Sequence, residues 1–206
     1  MTYKTDKDSP QPLETLQNSY FLMRHGKSVA NEEGIIISLI ENGRSQYGLC
    51  DAGKEQISKS LQNQSFLDSD TIIVSSDFLR TKESAQLAAK ILKTDAPKSS
   101  PLLRERFFGD YEKMGDSRYK LVWEKDKDND ENTCMNVESP KSVLGRFQNF
   151  IQEMESLYTH KKILILSHGD ILQIGLTWPA GIAASQHRSL NHLETAEIRP
   201  FILPGK

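Results

Sequence analysis

The sequence predicts an α/β fold: a three-layer α/β/α sandwich around a mostly parallel central sheet. Three observations carry this. Short, wholly apolar runs of the length of buried strands alternate with stretches of helical periodicity. Two of those runs end in a histidine followed by glycine, at Met23-Arg24-His25-Gly26 and Leu166-Ser167-His168-Gly169. No internal repeat competes with this reading.

The first strand is Tyr20-Phe21-Leu22-Met23, ending at Arg24. Helical patterning begins at Gly53, with Ile57 and Leu61 four apart and Asp51 as a cap. The β-branched run Thr71-Ile72-Ile73-Val74 is a second strand. Ser75-Ser76-Asp77 then offers capping chemistry to a helix that stripes Leu87, Ala88, Ile91 and Leu92 on one side. Ser139-Pro140 opens the clearest helix, with Val143, Phe147, Phe150, Ile151 and Met154 at three-to-four-residue spacing. Ile163-Leu164-Ile165-Leu166 is the third strand, and an apolar helix from Ile171 to Leu176 follows it. The charged tract from Glu124 to Asn132 has no apolar position and is expected to be an exposed loop; it lacks the glycine and terminal glutamate of a calcium loop. Residues 187–198 are expected to form an exposed loop and a final edge strand, with His187, Arg188 or His192 lining a pocket as the alternative.

A chain of 206 residues fits one domain, here 19–206, preceded by a flexible tail over 1–18 that carries no secretory apolar core. The formal net charge of −2 argues against a broad nucleic-acid-binding face, so a bound anion must be held by a few local cations. Cys50 and Cys134 are too few for a disulfide framework and have no metal-ligand spacing, which points to a reducing compartment, the cytoplasm. No apolar run reaches the roughly 20 residues of a membrane span.

In open α/β sheets ligands bind beyond the carboxyl ends of the strands. His25 and His168 both belong at that rim, and a glycine after each gives the backbone a tight exit. A lone histidine would more often be a surface or core residue; two in the same topological place point to a site. Arg80 follows the second strand by one helical turn and joins Arg24. Two guanidiniums converging with two imidazoles suit a dianionic phosphoryl group, because arginine matches phosphate oxygens in a fork.

Arg24-His25-Gly26-Lys27-Ser28 with Asn31, Ser76 to Thr81 running on to Ser84-Ala85, Leu103 to Gly109, and Ser167-His168-Gly169 together resemble the motifs of the histidine phosphatase superfamily, also called phosphoglycerate mutase-like. Gly48 to Gly53 and Glu138-Ser139 through Arg146 fit weaker landmarks, so the likeness runs from about residue 20 to residue 198, in the family's order. The resemblance implies a nucleophile at His25, phosphoryl-binding groups at Arg24, Arg80 and His168, and a general acid and base at Glu105. It also places Asn31, Ser28 and Gly169 around the substrate, and it implies a metal-independent enzyme of the histidine acid phosphatase type with no cofactor, whose site takes a small phosphorylated substrate or a phosphate or sulfate ion. Glu138 is the runner-up for the acid, and a surface ion pair with Arg104 or Arg106 is the plain alternative for Glu105. Cys50 stands where the family has a hydroxyl residue, and Lys27 where it has glutamate, adding a cation near the pocket.

The superfamily contains hydrolases and mutases. The segment from Lys113 to Val137 is short, with Arg118 its only arginine, and its acidic tract would repel a second phosphate. Hydrolysis is therefore expected over a mutase-type phosphotransfer, and a phosphate-binding module without turnover is the non-enzymatic alternative. Neither nucleic acid nor membrane is expected as a partner. The alcohol part of the substrate and the oligomeric state are not legible.

Overall fold

The computed structural model describes residues 15–203. In chain order the elements are β1 (Ser19–Arg24), α1 (Val29–Glu33), α2 (Ile40–Gly43), α3 (Asp51–Gln62), β2 (Ile72–Ser75), α4 (Leu79–Leu92), β3 (Lys98–Ser99), α5 (Tyr119–Asp126), α6 (Pro140–Leu157), β4 (Lys162–Ser167), α7 (Gly169–Gly175), α8 (Thr177–Ala180) and β5 (Ile198–Phe201), with 3-10 turns between them.

One five-stranded sheet has the order β3-β2-β4-β1-β5. β1 and β2 flank β4 in parallel, β3 extends the sheet in parallel, and β5 closes the other edge antiparallel to β1. Alternation of side chains along the strands splits the core in two. Tyr20, Leu22, Val74, Ile163 and Ile165 pack with Val143, Phe147 and Phe150 of α6 and Ile171 of α7. Met23, Ile73, Leu164 and Leu166 pack with Ile57 and Leu61 of α3 and Ala85 and Ala88 of α4. Helices on both faces explain why the strands read as continuous apolar runs, and they give the three-layer α/β/α architecture anticipated from sequence.

Local chemistry moves several boundaries. α3 starts at Asp51, with Cys50 at the cap position and no capping side chain. α4 starts only at Leu79, so Ser75, Ser76 and Asp77 are not its caps. α6 begins as expected, with the Ser139 hydroxyl accepting from Ser142 N. The expected tail over 1–18 lies mostly outside the described residues, as do residues 204–206. Asn18, however, is buried and donates to Glu155 and to the Tyr158 carbonyl, and Leu16 packs on the core, so ordered contacts begin before β1. No helix among the described residues is long and apolar enough to cross a membrane.

The tract from Glu124 to Asn132 is not an exposed loop throughout. α5 continues to Asp126, and both Asp126 and Asn132 are buried. The reason is electrostatic: Arg106 is fully buried and requires a counter-charge, which Asp126 supplies through two bonds of 2.6 and 2.8 Å. Asn132 Nδ2 steadies the same carboxylate at 2.8 Å.

Candidate active site

Three strands deliver the site. The register pairs Arg24 with Ser167 and Ser75 with Leu166, so the carboxyl ends of β1, β4 and β2 lie level. The residues leaving them, His25, His168 and Ser76, therefore meet at one rim. His25 N donates to the Ser167 carbonyl, and Ser76 N to the Leu166 carbonyl. The imidazole rings of His25 and His168 stand edge to face, 5.3 Å between centroids. A pocket of about 230 Å³ opens here, and its lining includes Arg24, His25, Arg80, Glu105, Ser28, Asn31 and Gly169. The sequence-predicted residues are thus brought together, with His168 fully buried directly behind Arg80.

Hydrogen bonds fix both imidazole tautomers. His25 Nδ1 lies 2.7 Å from the Gly26 carbonyl and must carry the proton, leaving the Nε2 lone pair toward Arg80. Arg80 Nε–H points between the rings, 3.1 Å from His25 Nε2 and 3.1 Å from His168 Nδ1. His168 therefore carries its proton on Nε2, donating to Ser76 Oγ at 3.0 Å. The serine expected to cap α4 orients a histidine instead. Burial, then the Arg80 charge, holds both imidazoles well below the usual histidine range, so both are neutral at neutral pH.

The guanidiniums are only partly satisfied. Arg80 Nη2 donates to the Ile37 carbonyl at 3.0 Å, and Arg24 Nη1 to the Leu193 carbonyl at 3.0 Å. Arg80 Nη1 and Arg24 Nε are buried and have no partner among the described residues. Unpaired buried N–H groups on cations are costly, and two of them in one pocket lining call for an anion.

Gly26 owes its place to close packing. A Cβ there would stand 2.4 Å from the Gly53 carbonyl oxygen, so the glycine lets the loop after β1 press on α3. Gly169 lies under Arg24, where a Cβ would reach 3.5 Å from the guanidinium carbon. Ser28 and Asn31 form a capping box on α1: Ser28 N and Oγ both donate to Asn31 Oδ1, and Asn31 N to Ser28 Oγ. A ligand can still take the Asn31 amide NH2 from this pair. Lys27 pairs with Glu32 at 3.6 Å and is not part of the lining. Cys50 Sγ rests against the Lys27 carbonyl, a packing contact.

Glu105 is buried and lines the pocket, and Arg104 turns away to Asp77 with bonds of 2.8 and 2.7 Å. The surface ion-pair alternative therefore does not apply. Burial, then the nearby negative charge of Asp170, raises the Glu105 carboxyl to about 7, against the opposing pull of Arg80. Its Oε1 accepts from Arg106 N at 2.9 Å. The runner-up Glu138 is spent on Arg146, at 2.8 and 3.0 Å, and on Phe107 N.

Several residues escaped the sequence reading. Asp170 lines the pocket and accepts from Trp123 Nε1 at 3.1 Å and from Arg106 Nη1 at 3.4 Å. Its position two residues after His168, in the first turn of α7, was the available signal. Tyr119 and Trp123 form a wall of parallel rings, 5.5 Å apart and 9° from coplanar. Of the three residues that the alternative reading of residues 187–198 offered, Arg188 and His192 line the pocket, while His187 is fully buried outside the lining. A 3-10 turn over Ala184–Ser189 packs the segment on α7 and α5 and buries His187, while Arg188, Ser189, Asn191 and His192 are exposed, as expected of a loop.

Solved structures share this architecture. One from Escherichia coli, a candidate alpha-ribazole-5'-P phosphatase, superposes with a TM-score of 0.69 at 22% identity, covering 88% of this chain and 89% of that one. A mycobacterial glucosyl-3-phosphoglycerate phosphatase gives 0.71 at 16% identity, covering 88% of each chain. Its complex with VO3 also gives 0.71 at 16%, covering 91% of this chain and 99% of that one. Comparison with curated protein sequences returns no match. The model of the histidine phosphatase superfamily, branch 1, matches residues 20–202, nearly the whole chain, and the chain belongs to that family.

Proposed function

We propose that this protein is a phosphomonoesterase acting on a small phosphorylated metabolite through a phosphohistidine at His25. The observation that carries it is the pair of unpartnered guanidinium N–H groups, Arg24 Nε and Arg80 Nη1, beside a neutral imidazole whose Nε2 lone pair is kept free of a proton. Names of structurally similar proteins, an alpha-ribazole-5'-P phosphatase and a glucosyl-3-phosphoglycerate phosphatase, support this class of reaction. That a structurally similar phosphatase forms a complex with VO3 supports binding of an oxyanion by this fold.

In the proposed sequence His25 Nε2 attacks phosphorus in line while the bond from phosphorus to the leaving oxygen breaks. Glu105 gives its proton to that oxygen. The Nδ1–H bond to the Gly26 carbonyl supports the positive charge that the phosphorylated ring acquires. Arg24 Nε and Arg80 Nη1 take the equatorial oxygens. The dianion draws Arg80 Nε away from the rings, so that His168 Nδ1 takes up a proton from solvent as the dianion binds, donates to the same oxygens, and releases that proton when phosphate leaves. Water then attacks phosphorus, Glu105 removes its proton, the P–N bond breaks and neutral His25 returns.

The acidic tract does not argue against a second phosphate, because none of its carboxylates is in the pocket lining and Asp126 is turned inward onto Arg106. Water as acceptor is supported instead by the cation count of the pocket lining. Beyond Arg24 and Arg80 it holds Arg188 as a single further guanidinium, where a bisphosphate calls for a second converging set.

Brief exposure to a labelled phosphomonoester should leave protein-bound label that survives alkali and is lost in acid. His25→Ala should abolish both this label and hydrolysis of p-nitrophenyl phosphate. Turnover surviving that substitution would sink the nucleophile assignment. Bisphosphate-primed interconversion of phosphoglycerates outrunning hydrolysis would establish the mutase reading instead.

A further inference from the structure

Arg188 does not float at the pocket mouth as an exposed arginine ordinarily would. Its guanidinium carbon lies 3.8 Å from the centroid of the Trp123 ring, flat on an aromatic face. Its Nη1 donates to Oε1 of Gln173, a buried residue of α7. Gln173 is in turn held by its own donation to the Leu190 carbonyl at 2.6 Å. Trp123 is fixed from the other side by its indole N–H, which Asp170 shares between both carboxylate oxygens. Two direct contacts, each to a side chain that is itself held, therefore remove the rotamer freedom that a long cationic side chain normally keeps, before any ligand arrives.

The contacts also leave one edge of the guanidinium open. Nη1 is used, whereas Nε and Nη2, the side-on pair of parallel donors, have no partner among the described residues. Two parallel N–H groups match the two oxygens of a carboxylate. A second phosphate fits less well, because its dianion would meet Asp116 and Asp170 in the same lining with one cation to offset it. Arg24 and Arg80 are committed to the phosphoryl site, so Arg188 is left to read the alcohol part of the substrate.

We propose that Arg188 is a specificity residue that binds a carboxylate on the leaving alcohol, making the preferred substrates phosphorylated hydroxy acids. This rests on the phosphomonoesterase reading above and names the substrate class for it.

Three acid and alcohol pairs, differing only in a carboxylate against a hydroxymethyl group, test it at different reach. They are 2-phosphoglycolate against 2-hydroxyethyl phosphate, 3-phosphoglycerate against glycerol 3-phosphate, and 6-phosphogluconate against sorbitol 6-phosphate. In the native enzyme kcat/KM should favour the acid roughly tenfold or more in at least one pair, the size of a charge-assisted hydrogen bond. Arg188→Gln should collapse that ratio toward one, mainly through KM of the acid, and Arg188→Lys, lacking the fork, should restore it only in part. No acid preference in any native pair overturns the proposal. So does a ratio unchanged in Arg188→Gln. Absence of hydrolysis of all six esters and of p-nitrophenyl phosphate would instead remove the phosphomonoesterase reading itself.

Discussion

Arg80 Nε stands 3.1 Å from His25 Nε2 and donates into the lone pair that the proposed chemistry requires. In the proposed reaction this cation covers the nucleophile at rest, adds to burial in keeping Nε2 free of a proton, and yields when a phosphoryl dianion offers Arg80 a better acceptor.

Arg80→Met should therefore have two separable effects. Loss of a transition-state donor should lower kcat by about 10²- to 10³-fold. Loss of the positive charge should raise the His25 pKa, leaving burial as its main depressant. A raised pKa places more of the ring in the protonated, non-nucleophilic form as pH falls, so the acid limb of residual activity should move to higher pH. Ring-proton NMR titration of His25 checks the shift. An unmoved His25 pKa would show that Arg80 does not govern its protonation.

Glu105 must be protonated to act as an acid, and its carboxyl is raised to about 7, chiefly by burial and next by Asp170. kcat/KM for an alkyl phosphate should accordingly fall as pH rises through about 7. Glu105→Gln should remove that limb and cost about 10²- to 10⁴-fold on alkyl esters. The cost should be smaller on p-nitrophenyl phosphate, whose leaving group needs little help. Asp170→Asn removes a neighbouring negative charge, so the Glu105 pKa should drop and the alkaline limb should move to lower pH without disappearing. A limb that stays in place in both variants would assign it to another group.

The parts of this molecule legible in its sequence are those where local pattern and global packing agree. Ile163 to Leu166 is apolar at every position because helices cover both faces of β4, so no alternation was needed to read it. His25 and His168 were found because each follows such a run directly. What stayed hidden depends on partners distant in the chain. Nothing near Asp126 signals burial, since its partner Arg106 is 20 residues away and itself looked like a surface flank of Glu105. Arg188 looked like loop because Trp123 and Gln173, which hold it, come from two different helices. β3 is two residues long and pairs only at Val74 and Ser75, too short for any periodicity.

The buried pair behind the acid gives the last prediction. Arg106 and Asp126 are both fully buried, joined by two bonds, and Arg106 also donates to the Glu138 carbonyl at 2.7 Å and to Asp170. Removing one partner strands a charge in the interior, whereas removing both leaves a space that apolar atoms can fill. Asp126→Ala should cost about 3–5 kcal/mol of stability, and the double variant Arg106→Met/Asp126→Leu should recover much of that loss. Urea titration of the native protein, Asp126→Ala and the double variant measures the difference. The activity of the double variant then reports what the pair does beyond stability: Arg106 N holds Glu105 Oε1, and Asp170 would lose its Arg106 partner. An uncompensated Asp170 beside Glu105 should raise the pKa of the acid and move the alkaline limb to higher pH, opposite in sign to Asp170→Asn. A double variant that is less stable than Asp126→Ala would mean that the buried ions contribute more than their desolvation costs.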